Sequence, residues 1–132
     1  MKRILSITIA ALVMVSCGSG TSKKQTATET KSADVTEVLY FHGKKRCITC
    51  NAIEKLTKEV VDSLSNDKIV MKVIDITQDE ATADKYEITW SSLILDRGGK
   101  VENLTEMGFG YAKNQPALFK AKLTEALIKI AE

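Results

Sequence analysis

The sequence has few of the residues that build metal centres. It contains three cysteines and one histidine in 132 residues, and Cys47 and Cys50 form its single close pair. A structural zinc site needs about four ligands, so His42 and the two cysteines do not complete one within the chain. We therefore predict no resident metal, with a metal shared between two chains as the remaining arrangement.

An excess of charge of one sign is also missing. The chain has 19 basic and 17 acidic residues, and residues 1–16 carry two of the basic residues and no acid. Positive and negative charges therefore balance in the rest of the chain. A neutral chain gives no electrostatic reason to bind nucleic acid, and we predict no such partner.

No apolar run is long enough to span a bilayer comfortably, which takes about 20 residues. The N-terminal apolar run 4–15 follows two cations, and Ser16 separates it from Cys17. These features are typical of a secretory signal. A cysteine at this place resembles a bacterial lipoprotein signal, which implies cleavage before Cys17 and lipid on its sulfur. The alternative is an ordinary signal in which Cys17 is incidental.

We predict three segments from this pattern. Residues 1–16 are the signal peptide, residues 17–34 are the lipidated cysteine and a flexible tether, and residues 35–132 are one domain. The tether is small and polar without apolar periodicity, which is typical of a flexible linker. The predicted location is the bacterial cell envelope, lipid-anchored and facing the periplasm, where disulfides can persist.

Apolar periodicity and turn residues predict an α/β domain in the order strand, helix, strand, helix, strand, strand, helix. The predicted elements are strand 35–41, a helix from Cys47 to Asn66, strand 69–76, a short helix to about 85 opened by a Thr77–Glu80 capping box, strand 90–95, strand 101–104 after a Gly98–Gly99 turn, and a last helix at Pro116. This order gives a mixed four-stranded sheet with helices on both faces.

Three details accompany that assignment. The almost continuous apolar character of residues 69–76 predicts a parallel strand covered on both faces. Gly108 and Gly110 predict a loosened chain before the last helix. The CxxC pair falls at the N-terminus of the first helix, at the carboxyl end of the first strand, where ligands and chemistry gather in open α/β sheets.

A strand leading into CxxC at the start of a helix, in this order of elements, resembles the thioredoxin-like superfamily over about residues 35–132. The segment TWSSLILDRGGK (89–100) aligns with the thioredoxin third strand and hairpin. The run YFHGKKRCITCNAIEKL (40–56) is most similar to small exported proteins named nitrophenyl compound nitroreductase subunit ArsF. The resemblance implies a thiol–disulfide oxidoreductase whose partner is a protein disulfide or dithiol, with a membrane thiol-electron transporter as an electron source.

Two positions depart from the thioredoxin pattern. Ser91 stands where those proteins place a cis-proline before the third strand. Phe41, six residues before the first cysteine, stands where the family often buries a carboxylate beneath the pair. The proton acceptor that serves the second cysteine is therefore missing or different.

The chemistry needs a thiolate. Free amide groups and the positive end of the helix dipole favour the charged form of Cys47. Lys44, Lys45 and Arg46 add positive charge, so we expect a lowered Cys47 pKa. Cys50, about one turn away, would resolve the mixed disulfide. No dissociable cofactor is required, because the electrons reside in the cysteine pair.

Two further side chains are candidate modulators, and two other interpretations of the pair stay open. His42 could relay a proton or be a solvated loop residue, and Trp90 could form an apolar lip for a partner or pack on a helix. The pair itself could be a structural staple. The chain could also be a non-catalytic carrier or binding subunit that uses its vicinal thiols for a soft metal or metalloid.

Overall fold

The computed structural model describes residues 33–132. Its elements are β1 (Thr36–His42), α1 (Ile48–Leu64), β2 (Ile69–Asp75), α2 (Glu80–Lys85), β3 (Ser92–Arg97), β4 (Lys100–Asn103), α3 (Thr105–Tyr111) and α4 (Pro116–Ala131). No helix in this range combines the length and apolar character that crossing a membrane requires. Cys17 and the proposed signal and lipid attachment lie outside the described residues.

The four strands form one mixed sheet in the order β2-β1-β3-β4. β1 pairs parallel with β2 and antiparallel with β3, so that Val38 lies between Met71 and Leu95. β3 and β4 are joined by the predicted glycine turn, in which Gly98 and Gly99 have φ of 58° and 96°. Positive φ at both central positions is the conformation that a tight hairpin needs.

The central strand β1 divides the interior into two cores. Val38 and Tyr40 pack in a large cluster with side chains of α1 and α4. Leu39 and Phe41 pack in a smaller cluster that includes Ala83 of α2. Successive side chains of a strand point to opposite faces, so helices cover both faces of the sheet. The predicted α/β class and mixed four-stranded sheet are confirmed.

The last helix has the predicted start and apolar stripe. Pro116 stands in the first turn of α4, where its missing N–H costs no helical hydrogen bond. The stripe is buried against the sheet, with Phe119, Leu123, Leu127 and Ile130 all nearly inaccessible to solvent. The spacing of these residues, three or four apart, is what one helix face requires.

The prediction that β2 is covered on both faces is wrong in part, because Ile69 and Met71 pack against the large cluster and Ile74 lies in the smaller one, but the cover is incomplete. β2 lies at the edge of the sheet and pairs only with β1. Ile74 is its one buried residue, whereas Val70 and Val73 are exposed. Continuous apolar sequence shows that a segment favours extended backbone, but the strand order decides whether both of its faces are covered.

The prediction of loose chain around Gly108 and Gly110 is also wrong, because both residues lie inside α3. A side chain at Gly108 would place Cβ 3.2 Å from Ile53 Cδ1 of α1. Glycine therefore allows α3 to approach α1 closely. Its cost in helix propensity is outweighed by this tertiary packing.

Two element starts differ from the prediction. β3 begins at Ser92, because Trp90 and Ser91 lie in a bend. The cap of α2 is Asp79, whose side chain accepts from the Thr82 amide, so the capping box at Thr77 and Glu80 is wrong. Thr77 instead donates from both its amide and its hydroxyl to the Asp75 carboxylate. These two local hydrogen bonds end β2.

Candidate functional site

The CxxC pair lies just beyond the carboxyl end of β1, at the start of α1. Cys47 is the N-cap residue of α1 and is joined to Cys50 in a disulfide, with 5.0 Å between the two Cα atoms. The Cys50 amide donates to Cys47 Sγ at 3.0 Å. The sulfur therefore occupies the place of a capping side-chain oxygen and satisfies one of the free amides of the first turn.

The two cysteines differ in their access to solvent. Cys47 is exposed, whereas Cys50 is 5% exposed and packs behind it. An incoming thiol or disulfide can therefore approach Cys47. The second sulfur is shielded from the same attack but stays within bonding distance of the first. This asymmetry matches the chemistry of an attacking and a resolving cysteine.

The cations before the pair are solvent-exposed, and one of them is neutralised locally. Lys44, Lys45 and Arg46 are all exposed. The Arg46 guanidinium forms an ion pair with the Glu54 carboxylate, one to two turns into α1. The Glu54 carboxylate therefore offsets the positive charge that Arg46 brings to Cys47. The prediction, which considered only the charges of residues 44–46, did not include this carboxylate.

His42 ends β1 beside Asp75 of β2. Its Nδ1 lies 3.2 Å from the Gly43 carbonyl, and its ring centroid lies 6.3 Å from that of Tyr40. Hydrogen bonds from Thr77 hold the pKa of Asp75 below its usual value, with smaller contributions from His42 and Lys44. A direct part for His42 in the thiol chemistry stays a prediction.

Trp90 and Ser91 lie in the bend before β3. Trp90 is 58% exposed, and its ring stacks on Phe109 of α3 with 5.4 Å between the centroids. One side of Trp90 therefore packs on a helix, and its role as an apolar lip for a partner stays a prediction. Ser91 is half-buried. Burial raises the pKa of Tyr40, and the neighbouring Ser91 hydroxyl has a smaller effect that lowers it.

The side chain beneath the pair is Tyr40, for which the sequence predicted only a place in the first strand. Its hydroxyl donates to the Cys50 carbonyl at 2.8 Å. Phe41, the position that was expected there, faces the opposite core and lies against Tyr86. Strand alternation could have pointed to Tyr40, which shares the side of Val38. Counting six residues back from Cys47 gave the wrong position, because the count crosses the loop 43–46 and no sequence periodicity fixes the length of that loop.

The donors considered for a metal do not form a cluster in the chain. Within residues 33–132, no group of three or more His, Cys, Asp or Glu side chains is arranged to hold a metal ion. His42, Cys47 and Cys50 follow one another closely in sequence, but the described contacts of the His42 ring are with Gly43 and Tyr40.

Comparison with solved structures bears on the fold. The crystal structure of Trxlp from Edwardsiella tarda EIB202 superimposes with a TM-score of 0.53 and 13% identity, over 70% of this chain and 85% of its own. The fold is thioredoxin-like. At this identity the likeness shows the fold alone, and the thioredoxin-like arrangement places the CxxC pair at the start of its first helix.

Two other solved structures are similar at lower TM-scores. The Trx4 domain of ERdj5 has a TM-score of 0.43 and 21% identity, over 68% of this chain and 81% of its own. A malarial protein has a TM-score of 0.48 and 20% identity, over 66% of this chain and 96% of its own. No family model and no curated protein sequence matches the chain.

Proposed function

We propose that the chain is a membrane-tethered thiol–disulfide oxidoreductase that exchanges electrons with disulfides or dithiols of other proteins. One observation carries the proposal: a thioredoxin-like fold presents Cys47 to solvent at a helix N-terminus while Cys50 is buried directly behind it. A disulfide that served only as a staple would not require one accessible sulfur capped by a helix amide.

The proposed exchange balances in two steps. The Cys47 thiolate attacks one sulfur of a partner disulfide, which forms a mixed disulfide and releases the partner's other sulfur as a thiolate that takes up a proton. Cys50 then loses its proton and attacks Cys47 Sγ, which releases the partner's second thiol. Two electrons pass to the partner and Cys47–Cys50 becomes the disulfide. The reverse sequence oxidises a dithiol.

Exposed apolar side chains near the pair support a protein as the partner. Ile48, between the two cysteines, is 74% exposed. Trp90 with Phe109 provides aromatic surface next to Ser91, whose hydroxyl affects, more weakly than burial, the pKa of Tyr40, the residue that donates to the Cys50 carbonyl. Large exposed apolar groups beside a reactive centre are typical of interaction surfaces. A membrane thiol-electron transporter is the proposed electron source, with the lipid on Cys17 keeping the domain nearby.

Single cysteine variants test the proposal. Cys50→Ser should accumulate mixed disulfides with envelope proteins, because the resolving thiol is missing, whereas Cys47→Ser should trap nothing. Non-reducing gels and identification of the attached proteins provide the measurement. The matched control is Cys47→Ser, which removes one sulfur from the same pair. Equal trapping by both variants, or by neither, would contradict the proposed order of attack.

Ser91 favours a second candidate function, a non-catalytic carrier of a soft metal or metalloid. It replaces the proline that obstructs metal binding in this superfamily, and its hydroxyl affects, more weakly than burial, the pKa of Tyr40 beneath the thiol pair. The resemblance to subunit ArsF fits this alternative. Insulin reduction and the reduction potential separate the two. A potential outside roughly −270 to −120 mV, the range of redox-active CxxC proteins, without turnover would favour the carrier.

A further inference from the structure

A buried hydrogen bond ties the resolving cysteine to the central strand. Tyr40 is fully buried in β1, and its hydroxyl donates to the Cys50 carbonyl at 2.8 Å. The carbonyl belongs to the first turn of α1. The Tyr40 hydroxyl is inaccessible to water and would lack an acceptor without this carbonyl, whereas the carbonyl, as part of α1, also accepts within the helix.

Ser91 contributes to the environment of the same phenol. A tyrosine hydroxyl has one proton, and that of Tyr40 is used on the Cys50 carbonyl. Burial raises the pKa of Tyr40, and the Ser91 hydroxyl has a smaller effect that lowers it, as a donor towards the phenol oxygen does. Ser91 therefore acts on the Tyr40 oxygen from the bend before β3.

The same turn provides the donor that faces the attacking sulfur. The Cys50 amide donates to Cys47 Sγ at 3.0 Å. Whatever fixes the backbone of Cys50 also fixes this donor. Hydrogen bonds to a charged acceptor are roughly twice as strong as those between neutral groups, so the placement of this amide matters more when Cys47 is a thiolate than when it is in the disulfide.

We propose that Tyr40 is a positioning residue for the thiol–disulfide exchange, and that its hydroxyl, supported by Ser91, holds the Cys50 backbone so that the Cys50 amide stabilises the Cys47 thiolate. The proposal rests on the proposed function. It assigns a role to the buried position beneath the pair, which holds a neutral phenol in place of the carboxylate that the resemblance implied.

The chemistry of the phenol agrees with positioning and not with proton transfer. Burial raises the pKa of Tyr40 above its usual value. The hydroxyl therefore keeps its proton at physiological pH and continues to donate to the Cys50 carbonyl. Tyr40 acts on the sulfurs through the backbone of Cys50, and the Cys50 proton has to leave by another route.

Tyr40→Phe removes the hydroxyl and keeps the ring in the core. In the detergent-solubilised full chain, we expect a raised Cys47 thiol pKa, measured by ultraviolet absorbance of the thiolate. We also expect the equilibrium with glutathione to shift about threefold to tenfold towards the disulfide, where tenfold corresponds to about 30 mV. Tyr111→Phe is the matched control, since Tyr111 lies on α3 beneath Lys122, and it should change neither quantity.

Ser91→Ala provides a second and milder test. It should shift both quantities in the same direction by a smaller factor, and the double variant should match Tyr40→Phe alone because Ser91 acts through the Tyr40 hydroxyl. If Tyr40→Phe fails to fold, the Ser91→Ala shift decides. A Cys47 pKa and glutathione equilibrium unchanged within twofold, or additive effects in the double variant, would overturn the proposal.

The two proposals fail separately. If the wild-type chain has no insulin-reducing activity and Cys50→Ser traps no partner, the proposed function fails. The Cys47 pKa and the glutathione equilibrium need no physiological partner, so they still test the role of Tyr40. If the wild-type chain is active and Tyr40→Phe changes neither quantity, only the positioning role is lost.

Discussion

The Thr57 hydroxyl is buried on α1 with no hydrogen-bond partner among the described residues. Most buried polar atoms in proteins are paired, and a buried hydroxyl without a partner costs roughly 1–3 kcal/mol. Thr105 shows the opposite case. It is also buried, but its Oγ1 accepts from the Leu93 amide at 3.1 Å, which joins α3 to β3.

This contrast predicts opposite effects of one substitution at two buried threonines. Thr57→Val replaces an unpaired hydroxyl with a methyl group of similar size, and it should raise the free energy of unfolding by about 1 kcal/mol. Thr105→Val leaves the Leu93 amide without an acceptor and should lower it by about 1–3 kcal/mol. Urea unfolding measures both, and a loss of stability in Thr57→Val would show that its hydroxyl has a partner.

Single residues also account for two differences between the predicted and the observed site. Arg46 is paired with Glu54, so its charge is shared between the loop and the helix surface. Tyr40 and Phe41 are neighbours in sequence, yet they pack in different cores on opposite faces of the sheet. The group beneath the CxxC pair is therefore decided by which side of β1 faces α1.

At the scale of the element, β2 shows how one strand can have two different environments. Ile74 is 8% exposed and packs with Leu39 and Phe41 of β1, whereas Val73 beside it is 46% exposed at the sheet edge. Lys72 pairs with Glu37 of the neighbouring strand at 2.7 Å. The apolar residues of this strand look equivalent in the sequence, but they differ in burial in the sheet.

Alanine substitutions should reveal this difference. Ile74→Ala removes buried methyl groups and leaves a cavity, so it should lower the free energy of unfolding by roughly 2–5 kcal/mol. Val73→Ala, on the exposed side, should change it by about 0.5 kcal/mol. Denaturant unfolding of the two variants is the measurement. Equal losses at both positions would mean that Val73 is packed as closely as Ile74.

At the scale of the whole molecule, the described domain is one thioredoxin-like unit, and the residues before it are predicted to attach it to a membrane. The predicted anchor is the lipid on Cys17, followed by a polar tether of residues 18–34. A tether of this composition would keep the CxxC pair near the bilayer without fixing its orientation.

Removal of the predicted lipid site tests this arrangement. In bacterial cells the wild-type chain should sediment with membranes, and Cys17→Ser should move to the soluble fraction because one sulfur carries the anchor. Membrane fractionation, with mass spectrometry of the mature N-terminus, provides the measurement. The purified variant should keep its insulin-reducing activity as an internal control. Membrane retention of Cys17→Ser would contradict the lipoprotein assignment.

Patterns within single elements made much of the fold predictable. The stripe of α4, the turn at Gly98–Gly99 and the helix start at the CxxC pair depend on residues close together in sequence. The helix α3 was missed because Gly108 is a poor helix former on its own. Its place in α3 depends on contact with Ile53, which is 55 residues earlier in the chain.

The amino-acid sequence by itself determined the spacing of Cys47 and Cys50, the order of the main elements and the α/β class, because local periodicity and turn chemistry act over a few residues. Only the tertiary structure decided that β2 lies at an edge, that Arg46 pairs with Glu54, and that Tyr40 lies beneath the pair. These outcomes depend on which segments meet in space, and the packing of a sheet between helices settles that after each element has formed.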